Sequence, residues 1–209
     1  MPSIRHLFWD FDGTLYNSYP QIAHAFGQAL NELGQGGLIS EAGLLALLKV
    51  SVYHAACHCA QKAGLEPAEL IEVFHRYHAQ EAPFAPYAGL EGCLRTLHEA
   101  GIRHYLYTHR DLRAVEQLKR DGLWPLFTDA VTRLDGFADK PAPDALLALM
   151  ARNNAEPGEC AMVGDRDIDI LAGRNAGMRG VLFDPDGFYP DLKADWRVSS
   201  MAELCGLFV

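Results

Sequence analysis

The chain has 209 residues, of which 49% are hydrophobic, and its formal net charge is −9 at pH 7. This length allows one main domain and a small second module. Because no extended block of Lys and Arg residues is present, we expect no nucleic-acid partner. No apolar run approaches the roughly 20 residues that cross a bilayer. Since Met1 leads into a strand-like run without a signal-peptide pattern, we expect a cytoplasmic location and no membrane association. The five cysteines are an odd number and their spacing suggests no disulfide framework, so we expect reduced thiols.

Strand-like apolar runs alternate with helical patterns over most of the chain. The first run covers residues 5–9 and ends abruptly at Asp10. Further strand candidates lie at residues 104–107, 130–132, 160–163 and 180–183, with a weaker one at Trp196–Val198. Leucines at helical spacing precede Gly101 and Gly122 and fill the intervals between these runs. The alternation predicts an α/β fold with a doubly wound, mostly parallel sheet that helices cover on both faces.

Residues 16–83 depart from this alternation, because they carry helical periodicity throughout and no convincing strand. Ser18 and Gln21 have the spacing of a capping box at the start of the first of four short helices. We therefore predict a helical cap domain at residues 16–83, inserted after the first strand of a core domain formed by residues 1–15 and 84–209.

Several polar side chains could take part in substrate selection or metal binding. Lys49, His24 and Arg110 could contact a substrate, although exposure to solvent is the more ordinary role of such residues. His54 and His58 share a helical face close to two cysteines, which is a combination that zinc can use. No second Cys-x-x-Cys segment supports such a site, so we expect none there.

Two acidic segments follow predicted strands. Asp10 and Asp12 lie in a loop where Gly13 allows the backbone to turn sharply, so both carboxylates could reach one site. An isolated Asp-x-Asp-Gly segment is often only an acidic turn, and the rest of the chain must decide its meaning. The second segment contains Asp165 and Asp169, which are four residues apart and would share a helical face if the helix begins near them. Helix capping accounts for one acid in this segment but not readily for several.

Thr108 follows the strand-like run at residues 104–107, and Lys140 precedes another helical pattern. Considered alone, Thr108 would be an ordinary turn or cap residue, and Lys140 would be an ordinary solvated lysine. Together with the acids, however, they lie next to strand ends, where open parallel sheets bind ligands. The set supplies a carboxylate nucleophile, a proton-transfer group, oxygen ligands for a hard cation and donors for phosphate oxygens.

These segments give the chain a resemblance to the haloacid dehalogenase superfamily, in its phosphatase branch with a helical cap inserted after the first motif. Four motifs in family order carry the resemblance: Asp10-Phe11-Asp12-Gly13-Thr14-Leu15, Thr108, Lys140 with Pro141 and Pro143, and Gly164-Asp165 with Asp169. His109-Arg110 departs from the pattern, because many relatives carry a small or amide residue after the threonine. This departure bears on the identity of the substrate.

The resemblance implies a role for each matching residue. Asp10 would be the nucleophile that forms an aspartyl-phosphate, and Asp12 would be the general acid and base. The residues implied as ligands of Mg²⁺ are Asp10, the backbone carbonyl of Asp12, Asp165 and Asp169. The residues implied as phosphate-binding are Thr108, His109 and Lys140.

The expected reaction is hydrolysis of a small phosphorylated metabolite, such as phosphoglycolate or a sugar phosphate, by a monomer or homodimer. A sugar-phosphate mutase resembling β-phosphoglucomutase stays open as an alternative. Phosphonate cleavage through Lys49 or Lys62 is a further possibility on the same scaffold. A dehalogenase is disfavoured because it needs no leaving-group acid such as Asp12. A silent binding module is disfavoured because every core catalytic position is present.

Overall fold

The computed structural model describes residues 3–80 and 82–209 and contains two compact units. One unit comprises the chain up to Tyr16 together with Pro86–Val209, and the other comprises Asn17–Ala85. The predicted domain boundaries lie within two residues of this division. Across the described residues, no helix is both long enough and apolar enough to span a membrane.

The elements are numbered in chain order. The strands are β1 (His6–Trp9), β2 (Tyr16–Asn17), β3 (Ala85–Pro86), β4 (Arg103–Tyr107), β5 (Phe127–Val131), β6 (Cys160–Gly164), β7 (Arg179–Phe183) and β8 (Trp196–Val198). The helices are α1 (Tyr19–Glu32), α2 (Glu41–Val50), α3 (Val52–Ala63), α4 (Pro67–His78), α5 (Leu90–Glu99), α6 (Arg113–Arg120), α7 (Asp144–Asn153), α8 (Asp167–Asn175) and α9 (Met201–Gly206).

Six strands form one sheet in the order β5-β4-β1-β6-β7-β8, and each neighbouring pair is parallel. The chain runs from β1 to one side of the sheet through β4 and β5, and then returns to the other side through β6, β7 and β8. The strand order therefore reverses at β1, which is the topological switch point. This architecture confirms the predicted α/β fold class.

The central strands β1 and β6 are buried along their whole length, as expected where helices cover both faces of a parallel sheet. Leu7, Phe8 and Trp9 of β1 have no solvent exposure. The predicted strand at residues 130–132 is a partial error, since β5 begins three residues earlier at Phe127. Thr128 and Asp129 interrupt the apolar pattern after Phe127, which is compatible with the position of β5 at the edge of the sheet.

The second unit consists of α1 to α4 around a core that Ile22, Phe26, Leu70 and Phe74 help to form. Two of its helices begin with serine caps. Ser40 accepts a bond from Gly43 N–H at 3.2 Å, and Ser51 accepts one from His54 N–H at 2.9 Å.

The predicted capping box at Ser18 is wrong. The Ser18 side chain makes no capping hydrogen bond at the start of α1. Gln21 instead donates from Nε2 to the carbonyl of Ala82 at 2.9 Å, within the same unit. A tertiary contact to the end of the helical segment thus replaces the local bond that the spacing suggested.

Two helical glycines lead to a prediction about packing. A Cβ at Gly173 in α8 would lie 2.8 Å from Met162 Cβ, whereas a Cβ at Gly92 in α5 would meet no atom within 4 Å. We expect Gly173→Ala to lower the free energy of unfolding by about 1–3 kcal/mol through overpacking. Gly92→Ala should raise it by about 0.4–1 kcal/mol, because the unfolded chain loses freedom. Chemical denaturation of both variants measures these changes, and equal responses would contradict the close approach of α8 to β6.

Candidate active site

Three buried carboxylates meet at the carboxyl edge of the central strands. Asp10 follows β1, Asp165 follows β6, and Asp169 lies in the first turn of α8. Each offers an oxygen that lies within 4.8 Å of an oxygen from the other two. Sequence reasoning predicted all three as metal ligands, and the fold brings them together.

The loop after β1 is shaped by backbone hydrogen bonds. Asp10 N–H donates to the carbonyl of Val163 on β6 at 2.9 Å, so the nucleophile candidate is fixed to the neighbouring strand. Gly13 then adopts a φ of 72°, a value that favours glycine, and its N–H donates to the carbonyl of Tyr16 at 2.8 Å. This sharp turn leaves the Asp12 side chain 24% exposed, whereas that of Asp10 is 3% exposed.

The second acidic segment differs from its prediction in one respect. Helix α8 begins at Asp167, so Asp165 lies in the preceding loop and does not share a helical face with Asp169. Asp169 also caps the helix, because its Oδ2 accepts a bond from Arg166 N–H at 3.1 Å. A Cβ at Gly164 would lie 2.2 Å from Asp169 Cβ, so only glycine allows the strand end to approach this carboxylate.

Lys140 connects the carboxylates to the end of β4. Its Nζ lies 2.5 Å from Asp10 Oδ1 and 2.8 Å from Asp169 Oδ1, and its side chain has no solvent exposure. The same ammonium donates to the carbonyl of Tyr107 at 3.0 Å and lies 4.4 Å from the centroid of that ring. The lysine predicted from sequence is therefore held by two carboxylates, a carbonyl and an aromatic face.

The charge of this cluster is unevenly compensated. Burial raises the pKa of Asp10 to about 7, and Lys140 opposes this rise. Burial would also raise the pKa of Asp169, but Lys140 and Arg166 outweigh it and hold that pKa below its ordinary value. The pKa of Lys140 is raised, because the attraction of Asp10 and Asp169 exceeds the effect of burial. One buried ammonium is thus shared between two carboxylates and leaves the cluster short of positive charge.

The residues present fit a hard divalent cation. Three carboxylates converge within the distance that a single ion can bridge, and oxygen ligands are those that Mg²⁺ prefers. Asp10 Oδ2 is buried and has no hydrogen-bond partner among the described residues. A buried carboxylate oxygen without a partner is costly, and a bound cation would remove that cost.

Thr108 and His109 lie at the end of β4 beside Lys140. Thr108 is 2% exposed, and its Oγ1 accepts a bond from Arg110 N–H at 3.0 Å, which leaves the hydroxyl hydrogen outside this bond. His109 Nε2 accepts a bond from Lys140 N–H at 3.1 Å. Burial, and then Lys140, lower the pKa of His109 to about 4, so the imidazole is neutral near pH 7 and can act as this acceptor.

Arginine side chains form a part of the site that sequence reasoning assigned to solvent or passed over. Arg110 Nε and Nη2 each donate to an oxygen of Asp12 at 2.6 Å, and the Arg110 side chain is 15% exposed. Arg166, with 13% side-chain exposure, lies 4.0 Å from Asp165. The departure of His109-Arg110 from the family motif was the one sequence signal for Arg110. Lys49, also expected at the surface, is 4% exposed.

Buried carboxylates and a lysine at the switch point of a parallel sheet lie where open α/β sheets place their ligand sites. The chain belongs to the haloacid dehalogenase-like hydrolase family, whose model matches residues 7–183.

The sequences of individual relatives align with most of the chain. A phosphoglycolate phosphatase from Vibrio parahaemolyticus is 31% identical over 185 residues, which cover 83% of this chain and 81% of that protein. The pyrophosphatase PpaX from Anoxybacillus flavithermus is 28% identical over 215 residues, which cover 98% of this chain and 97% of that protein. A crystal structure of a predicted phosphoglycolate phosphatase from Haemophilus somnus matches with a TM-score of 0.84 at 21% identity and covers 99% of both chains. This last likeness supports the fold.

Proposed function

We propose that the protein is a magnesium-dependent phosphatase that hydrolyses the phosphate monoester of a small metabolite through an aspartyl-phosphate at Asp10. The proposal depends on the buried Asp10 carboxylate, which Lys140 holds through Oδ1 and whose buried Oδ2 has no hydrogen-bond partner among the described residues. Asp10 also lies in the cluster of three carboxylates. The relatives named phosphoglycolate phosphatase and pyrophosphatase support small phosphorylated compounds as the substrate class.

In the first half-reaction, the Asp10 carboxylate attacks phosphorus in line with the leaving oxygen. The bond between phosphorus and the leaving oxygen breaks, and the phosphoryl group becomes bonded to Asp10. Lys140 reduces the repulsion between the anionic nucleophile and the anionic phosphoryl group. In the second half-reaction, water attacks the same phosphorus, which releases inorganic phosphate and restores Asp10.

Asp12 is the proposed acid and base of both half-reactions. It donates a proton to the leaving oxygen in the first step and accepts a proton from the attacking water in the second. Its greater exposure than that of Asp10 suits this role, because the leaving alcohol and the water must both enter and depart.

The phosphoryl oxygens would be bound by the Thr108 hydroxyl and the Lys140 ammonium. We expect His109 to contribute by holding the Lys140 loop, because its Nε2 accepts a bond from Lys140 N–H. Asp10, Asp165, Asp169 and the backbone carbonyl of Asp12 would hold Mg²⁺. When bound, the cation would supply positive charge to the phosphoryl oxygens.

Removing the proposed nucleophile should stop turnover. Asp10→Asn should lower kcat on a small aryl phosphate by roughly 10³-fold or more, because an amide cannot serve as the anionic nucleophile. Asp167→Asn, at an exposed residue that the cluster does not use, is the matched control. Beryllium fluoride with magnesium should attach to Asp10 in a crystal structure of the wild type. Substantial turnover by Asp10→Asn, or attachment at another residue, would refute the mechanism.

The proposed metal ligands should differ in how strongly their substitution weakens Mg²⁺ binding. Both Asp169 oxygens already have protein partners, since Oδ1 lies 2.8 Å from Lys140 and Oδ2 accepts the Arg166 N–H. Asp165→Ala should therefore weaken Mg²⁺ binding more than Asp169→Ala, and calorimetric titration measures both affinities. Unchanged binding by Asp165→Ala, or full turnover in excess chelator, would contradict the assignment.

We also propose that the helical unit, Asn17–Ala85, acts as a cap that excludes bulk water and selects the substrate. The chain leaves the α/β unit directly after the Asp10 loop, so the insertion point is adjacent in sequence to the nucleophile. Within this unit, Lys49 is nearly buried, and its Nζ lies 4.1 Å from the centroid of the Tyr19 ring. A buried ammonium is an unusual feature for a purely structural helix pair.

A substitution in the helical unit should alter the preference among substrates more than it alters the rate of phosphoryl transfer. We expect Lys49→Gln to change the ratio of kcat/KM values among phosphorylated metabolites, while turnover of a small aryl phosphate falls by a smaller factor. Lys62→Gln, at an exposed position of α3, is the control. A screen that scores released phosphate and isomerised product also tests the mutase alternative. An equal loss on every substrate would show that Lys49 does not select.

A further inference from the structure

Arg110 is bound to the site through both its backbone and its side chain. Its N–H donates to Thr108 Oγ1 at 3.0 Å, and its Nε and Nη2 hold the two oxygens of Asp12 at 2.6 Å each. Its Cζ lies 5.6 Å from the centroid of the Phe11 ring. Because the guanidinium group is planar and donates as a fork, this pair fixes the Asp12 carboxylate in one orientation.

The pair occupies both oxygens that Asp12 needs for its proposed chemistry. An Asp12 oxygen that carries the proton for the leaving group is a weaker acceptor than a carboxylate oxygen, and the neutral acid loses its charge attraction to the guanidinium. The pair with Arg110 is therefore weaker while Asp12 holds the proton. A second anionic group within reach would then be the stronger partner for the largely buried Arg110 guanidinium.

Exposure separates the reactive groups into two layers. The inner layer contains Lys140 and Asp10, whose side chains are 0% and 3% exposed. The outer layer contains Arg110 and Asp12, whose side chains are 15% and 24% exposed. A phosphoryl group bound at Asp10 occupies the inner layer, and in-line attack directs the leaving oxygen away from Asp10. The leaving group of the substrate then lies on the side of the Asp12–Arg110 pair.

We infer that Arg110 is a substrate-binding residue that selects phosphate esters carrying a second anionic group, a carboxylate or a phosphate, close to the leaving oxygen. Such a group presents two oxygens to the guanidinium fork, as Asp12 does, and binds it when the pair with Asp12 is weakened. This inference rests on the proposed function and names the substrate class of the same site. A chain with a net charge of −9 also needs local positive charge to hold a substrate with two anionic groups.

Binding of stable phosphonates tests the inference without turnover. The probes are 3-phosphonopropanoate, which carries a carboxylate, methylenediphosphonate, which carries a second phosphonate, and propylphosphonate, which carries neither. In calorimetric titrations with Mg²⁺, the wild-type chain should bind at least one doubly anionic probe about 10- to 100-fold more tightly than propylphosphonate. The probe that is preferred identifies the second group as a carboxylate or a phosphate.

Variants assign this preference to Arg110. Arg110→Gln should remove it, and Arg110→Lys should restore part of it, because a lysine keeps the charge but not the fork. Arg113→Gln is the matched control, since Arg113 Nε pairs with Asp111 at 2.9 Å and its side chain is 65% exposed. This control should keep the wild-type ratio of affinities.

Two results would overturn the inference. One is equal binding, or no binding, of the three phosphonates by the wild type, and the other is an equal weakening of all three by Arg110→Gln. The latter would show that Arg110 only positions Asp12. If Arg110→Gln removes the preference but wild type releases no phosphate from any ester, the inference stands and the proposed function fails. If wild type releases phosphate but shows no preference for a second anionic group, the proposed function stands and the inference fails.

Discussion

Burial of three carboxylates beside one lysine is the constraint on which the site depends. Lys140 is placed against Asp10 and Asp169 by the carbonyl and ring of Tyr107 at the end of β4. Desolvation of the acids is costly, and one ammonium compensates them incompletely. A bound cation would supply the positive charge that both the carboxylates and an anionic phosphoryl group require.

Such an arrangement contributes little to folding stability. Replacing a buried ion pair by apolar residues of similar volume is often neutral or stabilising. The buried Lys140–Asp10 contact is therefore better explained by chemistry than by stability. The Arg110–Asp12 pair has a different character, because both side chains are partly exposed. The site thus combines a buried inner ion pair with a partly exposed outer pair.

Sequence reasoning succeeded where local pattern and long-range structure agree. A buried run followed by an acidic turn predicted the positions of Asp10 and Asp165, since parallel strands end at one edge of the sheet. It failed where a tertiary contact decided the outcome. Gln21 bonds to the carbonyl of Ala82 instead of capping α1, and Arg110 reaches Asp12 across the sheet edge from a strand far along the chain. Neither contact leaves a trace in the spacing of residues.

The α/β unit also closes its own chain at the insertion point, because Tyr87 N–H donates to the carbonyl of Leu15 at 3.1 Å within that unit. With respect to the α/β unit, the helical segment is therefore an insertion whose two ends are already held close together by the unit that it interrupts. The free-energy cost of closing a flexible loop, which is entropic, rises by only about 0.6 kcal/mol for each doubling of its length. The scaffold can therefore accept insertions of very different length at this point with little change in its own stability, while the strand ends that precede Asp10 and Asp165 stay unaltered.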